Sequence, residues 1–210
     1  MTDIDEIERD SSLARVEAFS DGVLAIIITI MVLELKSPVT EGLEAFWPLW
    51  PTFVAYVLSY AYVAIYWVNH HRLLGHARIV TGGLLWSNML LLFALSLIPF
   101  STAYLGERHF SREATLLYLA TMLIPAFAYI LLQARVAATG AKTVVSRRYH
   151  KASHRKGLTA AAVYALGIPL TFLSPWLGIA CAALVAVFWI LPWSGLDRLF
   201  LDRHPPAESR

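Results

Sequence analysis

The sequence predicts an all-α membrane protein with six transmembrane helices per subunit and both termini on the cytoplasmic side. Three observations predict it. The chain is too apolar for a soluble domain, its apolar residues gather into blocks of spanning length, and its basic residues fall almost entirely on one side of those blocks. Of 210 residues, 58% are hydrophobic and 15% charged. A soluble domain is about half apolar and about a quarter charged. The blocks leave little chain over, so residues 1–210 read as a single transmembrane domain with short loops.

A spanning helix needs about 20 predominantly apolar residues. The blocks fall at 17–35, 46–69, 83–105, 113–135, 158–174 and 176–193. The first follows an acidic segment, MTDIDEIERD, which has the wrong sign for the basic start of a signal peptide. It is therefore expected to stay as a helix. The fifth and sixth blocks are separated only by Ser174 and Pro175. Proline disfavours helical geometry in the residue before it, so this pair reads as a tight hairpin. One kinked helix of about 36 residues would be too long for a single span.

Orientation follows from Lys and Arg. Fourteen of the seventeen lie on one side: Arg9 and Arg15, Arg72 and Arg78, the run from Arg135 to Lys156, and Arg198, Arg203 and Arg210. Only Lys36, Arg108 and Arg112 lie on the other. Trp47, Trp50, Tyr104, Trp176 and Trp193 stand at the expected membrane edges, where amphipathic rings anchor without any chemistry. The basic loop 135–157 obeys the same positive-inside rule, and attraction to anionic lipid is the competing reading.

Ionisable groups inside a span are expensive and usually functional. Here the polar and ionisable residues concentrate in the first three helices, at Asp21, at Trp67, His70, His71 and Arg72, and at Trp86 and Asn88. Arg15 and Asp21 of helix 1 lie at the depth where helices 2 and 3 return. A carboxylate facing indole, amide and imidazole donors would pin three helices together. At about 100° per residue, Ile26, Thr29, Ile30 and Leu33 share one stripe, with Asp21 about 140° away. Such a stripe faces lipid or protein more often than a pore. His70 and His71 diverge by about 100° and do not share a metal ion. No metal site, cofactor motif, nucleophile elbow or nucleic-acid motif is present, and the lone Cys181 has no assigned role. An enzyme is therefore not expected, nor a nucleic-acid partner.

At these residues the chain resembles the transmembrane protein 175 family of potassium channels. Arg15, Phe19, Ser20 and Asp21 match the pattern R-x-x-x-F-S-D of its first helix. Trp67, His70 and Arg72 match its Trp-x-x-His-x-Arg, and Trp86 and Asn88 its Trp-x-Asn. The specific match covers about residues 15–36 and 66–101. Leu24, Ala25 and Leu74 depart from what many relatives carry. The resemblance implies a six-helix prokaryotic member assembled as a homotetramer in the plasma (inner) membrane, without a carbonyl filter loop. It implies a pore lined by helix 1, with Ile26 as constriction, Ile30 and Leu33 as further apolar rings, and Thr29 as a hydroxyl layer. It implies that Phe19, Ser20 and Asp21 join His70, Trp86 and Asn88 in a hydrogen-bonded network, with Arg15, Trp67, His71 and Arg72 beside it. Monovalent cations, potassium first, are the permeant species, and selectivity is expected to be modest. The competing reading is a proton channel or proton-coupled transporter that uses Asp21 and the histidines. Helix 1 has no break at its centre, which argues against a transporter.

Overall fold

The computed structural model describes residues 3–38, 41–139 and 144–190, with the backbone alone for 3–10, 144–150 and 152. The elements there are all helical. They are α1 (Asp3–Leu33), a 3₁₀ helix (Leu43–Leu49), α2 (Trp50–Leu74), α3 (Gly82–Ser96), α4 (Ile98–Glu107), α5 (Arg112–Thr139), α6 (Val144–Leu173) and α7 (Pro175–Ile190). Five helical stretches are long and apolar enough to cross a membrane: Ser11–Leu33, Leu43–Leu74, Gly82–Glu107, Arg112–Thr139 and Ser153–Leu173. The apolar helix α7 is 16 residues long where it is described. The far end of the expected sixth span, Trp193 and the carboxyl-terminal arginines lie outside the described residues, as do Lys142 and the side chains of Arg9, Arg147 and Arg148.

Three boundaries differ from the sequence expectation. Helix α1 starts well before residue 17, and α6 runs through most of what reads as the basic loop. Hydropathy finds the part of a helix that meets lipid, whereas Lys, Arg and Ala are good helix formers in water as well. The third block is not one helix. It breaks at Leu97 between α3 and α4. Pro99 has no N–H to give the carbonyl of Leu95, and Leu97 N–H turns back to Ala94 O at 3.4 Å instead. Gly75 closes α2, and the Thr81 side chain caps α3 by accepting from Leu84 N–H at 3.2 Å.

Helices α6 and α7 turn back on one another at Ser174, the single non-helical residue between them. A Cβ on Gly178 would collide with Thr171 Oγ1 and meet Thr115 Cγ2 at 2.9 Å, so α5, α6 and α7 touch nearly backbone to side chain there. Gly106 does the same for α4 and α2, where a Cβ would lie 2.7 Å from Thr52 Cα. Small residues permit this approach where lipid supplies no hydrophobic drive between helices. The α4–α5 turn ends in a Schellman pair, Phe110 N–H to Leu105 O and His109 N–H to Gly106 O, both at 3.1 Å. His109 and Phe110 hold φ of 48° and 56°, in the left-handed region. The Phe110 ring stacks on Trp50 at 5.7 Å and meets Trp176 at 5.1 Å, which ties α2, this turn and α7 together. Trp50 and Trp176, expected from the sequence at a membrane edge, thus pack against protein.

Helix α1 packs on α2, α3 and α4, and α5 lies against α3, α4, α6 and α7. In an apolar 18-residue stretch of each span, 28% of the residues are buried for α1 and for α2, against 56% for α3–α4 and for α5. Large faces of α1 and α2 are therefore left for lipid or for another copy.

Candidate functional site

Helix α1 divides into two faces. Val16, Ser20, Leu24, Ile27 and Met31 are buried, at the spacing of one helical stripe. Phe19, Ile26, Ile30 and Leu33 are exposed, Ile26 by 58% and Leu33 by 77%. Thr29 shares that exposed face. Its hydroxyl donates to Ile26 O at 2.9 Å, which uses its only proton and leaves the oxygen lone pairs directed away from the helix. The apolar stripe read from the sequence thus lies opposite the helices that hold α1.

The polar groups of α1–α3 form two bonded sets. In the buried set, His70 Nε2 lies 2.7 Å from Asn88 Oδ1. An amide oxygen only accepts, so His70 carries a proton on Nε2. Asn88 Nδ2 donates to Ser20 Oγ at 3.0 Å, and Ser20 Oγ donates to Val16 O at 2.8 Å. The donors run in one direction, from α2 through α3 into α1. Ser20, Asn88 and His70 are 0%, 0% and 2% exposed. In the second set, Trp67 Nε1 donates to Asp21 Oδ1 at 2.9 Å, and the exposed His71 ring stacks on Trp67 with centroids 6.3 Å apart.

The single carboxylate clamp expected from the sequence is therefore two clamps. Asp21 receives Trp67, while Ser20 takes the Asn88 and His70 arm. Neighbouring residues on a helix point about 100° apart, so Ser20 meets α3 while Asp21 meets α2. Trp86 is 78% exposed and Phe19 54%, and neither enters a hydrogen bond among the described residues. Arg15 and Arg72 are exposed, and no ion pair joins Arg15 to Asp21 among the described residues. No group of three metal-ligating side chains occurs there either.

Sequence reading missed a second polar chain. Thr102 Oγ1 gives its proton to Ile98 O at 2.7 Å and so accepts from Ser59 Oγ at 2.7 Å, and Ser59 bonds the Tyr118 hydroxyl at 2.9 Å, linking α4, α2 and α5. Only small hydroxyls in apolar runs announced it. Lys156, read as a loop cation, is 5% exposed, with Nζ 5.9 Å from the rings of both Phe188 and Trp189. On the side away from the basic residues, Lys36 Nζ donates to Glu107 Oε1 at 3.0 Å, and a cleft there is lined by Ile30, Glu34 and Glu107.

The family model described as the endosomal/lysosomal potassium channel TMEM175 matches residues 15–99, which contain both bonded sets and the stripe. A potassium channel of Chryseobacterium sp. (strain P1-3) is 41% identical over 185 residues, covering 88% of this chain and 95% of its own. A crystal structure of a lysosomal potassium-selective channel TMEM175 homolog from Chamaesiphon minutus superposes with a TM-score of 0.76 at 30% identity, covering 85% of this chain and 96% of that one. The human endosomal/lysosomal proton channel TMEM175 is 32% identical over 120 residues, 51% of this chain and 23% of its own. With a relative this similar along nearly its whole length, and with the same fold, the chain belongs to the TMEM175 family of potassium channels.

Proposed function

We propose that the chain is a passive, potassium-permeable cation channel of the plasma membrane, a homotetramer of six-span subunits with both termini cytoplasmic and α1 lining the axis. The observation that carries this reading is the exposed stripe Ile26, Thr29, Ile30 and Leu33 on a helix of spanning length, turned away from its own bundle. Four such stripes around an axis make rings of apolar side chains, and an apolar constriction gates by excluding water. Ile26 forms the constriction. The Thr29 oxygens, with their protons given to the backbone, present acceptors to a cation that has lost part of its hydration shell. Glu34 and Glu107, close to the outer end of the stripe, raise the local cation concentration. Selectivity is modest, because no ring of backbone carbonyls replaces the full hydration shell. Opening tilts or rotates α1 about its bonds at Ser20 and Asp21.

The test is potassium flux from liposomes. Ile26→Asn hydrates the ring and raises the leak; unchanged flux at matched protein content overturns the constriction. A second reading, proton permeation, is favoured by the likeness of half of this chain to the human endosomal/lysosomal proton channel TMEM175. Current that persists when a proton gradient replaces all potassium and sodium supports it.

A further inference from the structure

Besides the face of α1, the bundle carries an open groove of about 580 Å³ between α2 and α7. Tyr60, Ala64, Val68 and Arg72 of α2 form one wall, and Trp189 and Ile190 of α7 the other. Twelve residues separate Tyr60 from Arg72, a rise of about 18 Å along the helix. One leaflet of a bilayer's hydrocarbon core is about 15 Å thick, half of about 30 Å. The groove thus has the length of one leaflet, with an exposed guanidinium at its headgroup end. That end lies on the side that the distribution of Lys and Arg along the sequence predicts to be cytoplasmic.

We propose that this groove binds one anionic phospholipid per subunit, an acyl chain lying along α2 past Ala64 and the phosphate at Arg72. Small side chains at Ala61 and Ala64 keep the floor open, and the Trp189 ring covers the chain. Arg72 also interacts within the protein. A guanidinium has five N–H donors in a planar fork and can serve more than one acceptor, a phosphate among them. Charge selects the headgroup, since a basic residue at this depth attracts anionic lipid. Further in, the groove shares Ile65, Asn69 and Trp189 with a cavity of about 30 Å³ ringed by Tyr62, Tyr66, Tyr129 and Tyr164. That space is too small for an acyl chain. The lipid therefore occupies the groove and not the cavity.

The experiment is native mass spectrometry of the full chain in detergent, equilibrated with phosphatidylglycerol or with phosphatidylcholine at matched concentration. Wild type is expected to keep one phosphatidylglycerol per subunit, about fivefold in preference to phosphatidylcholine. Arg72→Gln removes the preference and keeps chain binding, and Ala64→Trp, which fills the groove, removes both. The proposal is overturned if wild type holds both lipids equally, if Ala64→Trp retains phosphatidylglycerol as wild type does, or if a photoreactive residue at position 64 captures protein instead of lipid. That last result assigns the groove to another copy or to the carboxyl-terminal part of the chain. Lipid counting reads no ion flux, so this proposal and the channel reading fail separately.

Discussion

On the basic side, α1, α2 and α3 meet through Ser20, Asp21, Trp67, His70 and Asn88. On the opposite side, α2 and α4–α7 meet chiefly through Gly106, Gly178 and the packed rings of Trp50, Phe110 and Trp176, with the buried Ser59, Thr102 and Tyr118 hydroxyls deeper between α2, α4 and α5. The first junction is directional and cheap to alter. Interhelical hydrogen bonds in membranes average about 0.6 kcal/mol, because the separated helices find other partners. The second has no alternative, since a close approach is lost entirely when the backbones must part. A helix meant to turn about an anchor is better held by the first kind, and a frame meant to stay still by the second. The proposed moving helix and the proposed frame are divided along this line.

The largest expected effect comes from filling the close approaches. Gly106→Leu forces its Cβ against the backbone of Thr52, so α2 and α4 must separate. Gly178→Leu collides with Thr171 and Thr115. Each is expected to lose about 3 kcal/mol or to prevent recovery of folded protein, the upper end for overpacking. Thermal melts followed by size exclusion in detergent measure this. Gly82→Ala is the control, because its Cβ meets nothing within 4 Å. Gly178→Ala melting with wild type would remove the claim that the frame is sterically fixed.

The next effect is at the polar junction. Asn88→Leu strands the His70 Nε2 proton and takes the donor from Ser20, both buried. A stranded buried group costs about 1–3 kcal/mol. Adding His70→Leu and Ser20→Ala removes the stranded groups, so the triple variant is expected to melt above Asn88→Leu alone. If instead the losses add, the three residues do not act as one chain. Trp67→Phe, which removes one exposed bond to Asp21, is expected to cost about 0.6 kcal/mol and to leave the buried chain intact.

Much of this junction was legible in the sequence because polar residues in apolar helices are conspicuous. Ser20, Asp21, Trp67, His70 and Asn88 stood at one depth in three consecutive blocks. Which group bonds which was not legible. Depth places Ser20 and Asp21 together, and only the packing of α2 and α3 shows that they face different helices. The frame was almost invisible. Gly106 and Gly178 read as ordinary residues in apolar runs, and their meaning depends on Thr52 and Thr171 across a helix interface. Lys156 looked like any loop cation, since the aromatic rings that cover it lie more than thirty residues onward. Pro99 carried the signal for the break at Leu97, but hydropathy runs through it without a dip.

The smallest expected effect tests whether charge adds to the cohesion of the outer side. Lys36 and Glu107 form an ion pair at 3.0 Å, with side chains 70% and 57% exposed. The hydrogen bond to Glu107, and then its charge, raise the Lys36 ammonium above its ordinary value. A raised ammonium adds stability that is present below its unfolded value and fades as pH rises through the folded one. At neutral pH whatever the pair contributes is therefore fully present. Exposed pairs are screened by salt and contribute little. Glu107→Gln is thus expected to leave the melting temperature unchanged at pH 7 in low and high salt alike. Its effect is expected in conduction, as a lower potassium flux at low ionic strength that disappears in high salt, because a carboxylate at the mouth acts through its field. A melting loss as large as that of Asn88→Leu would mean that charge holds the outer rim together as firmly as steric fit does, and the division between a bonded moving helix and a sterically locked frame would fall.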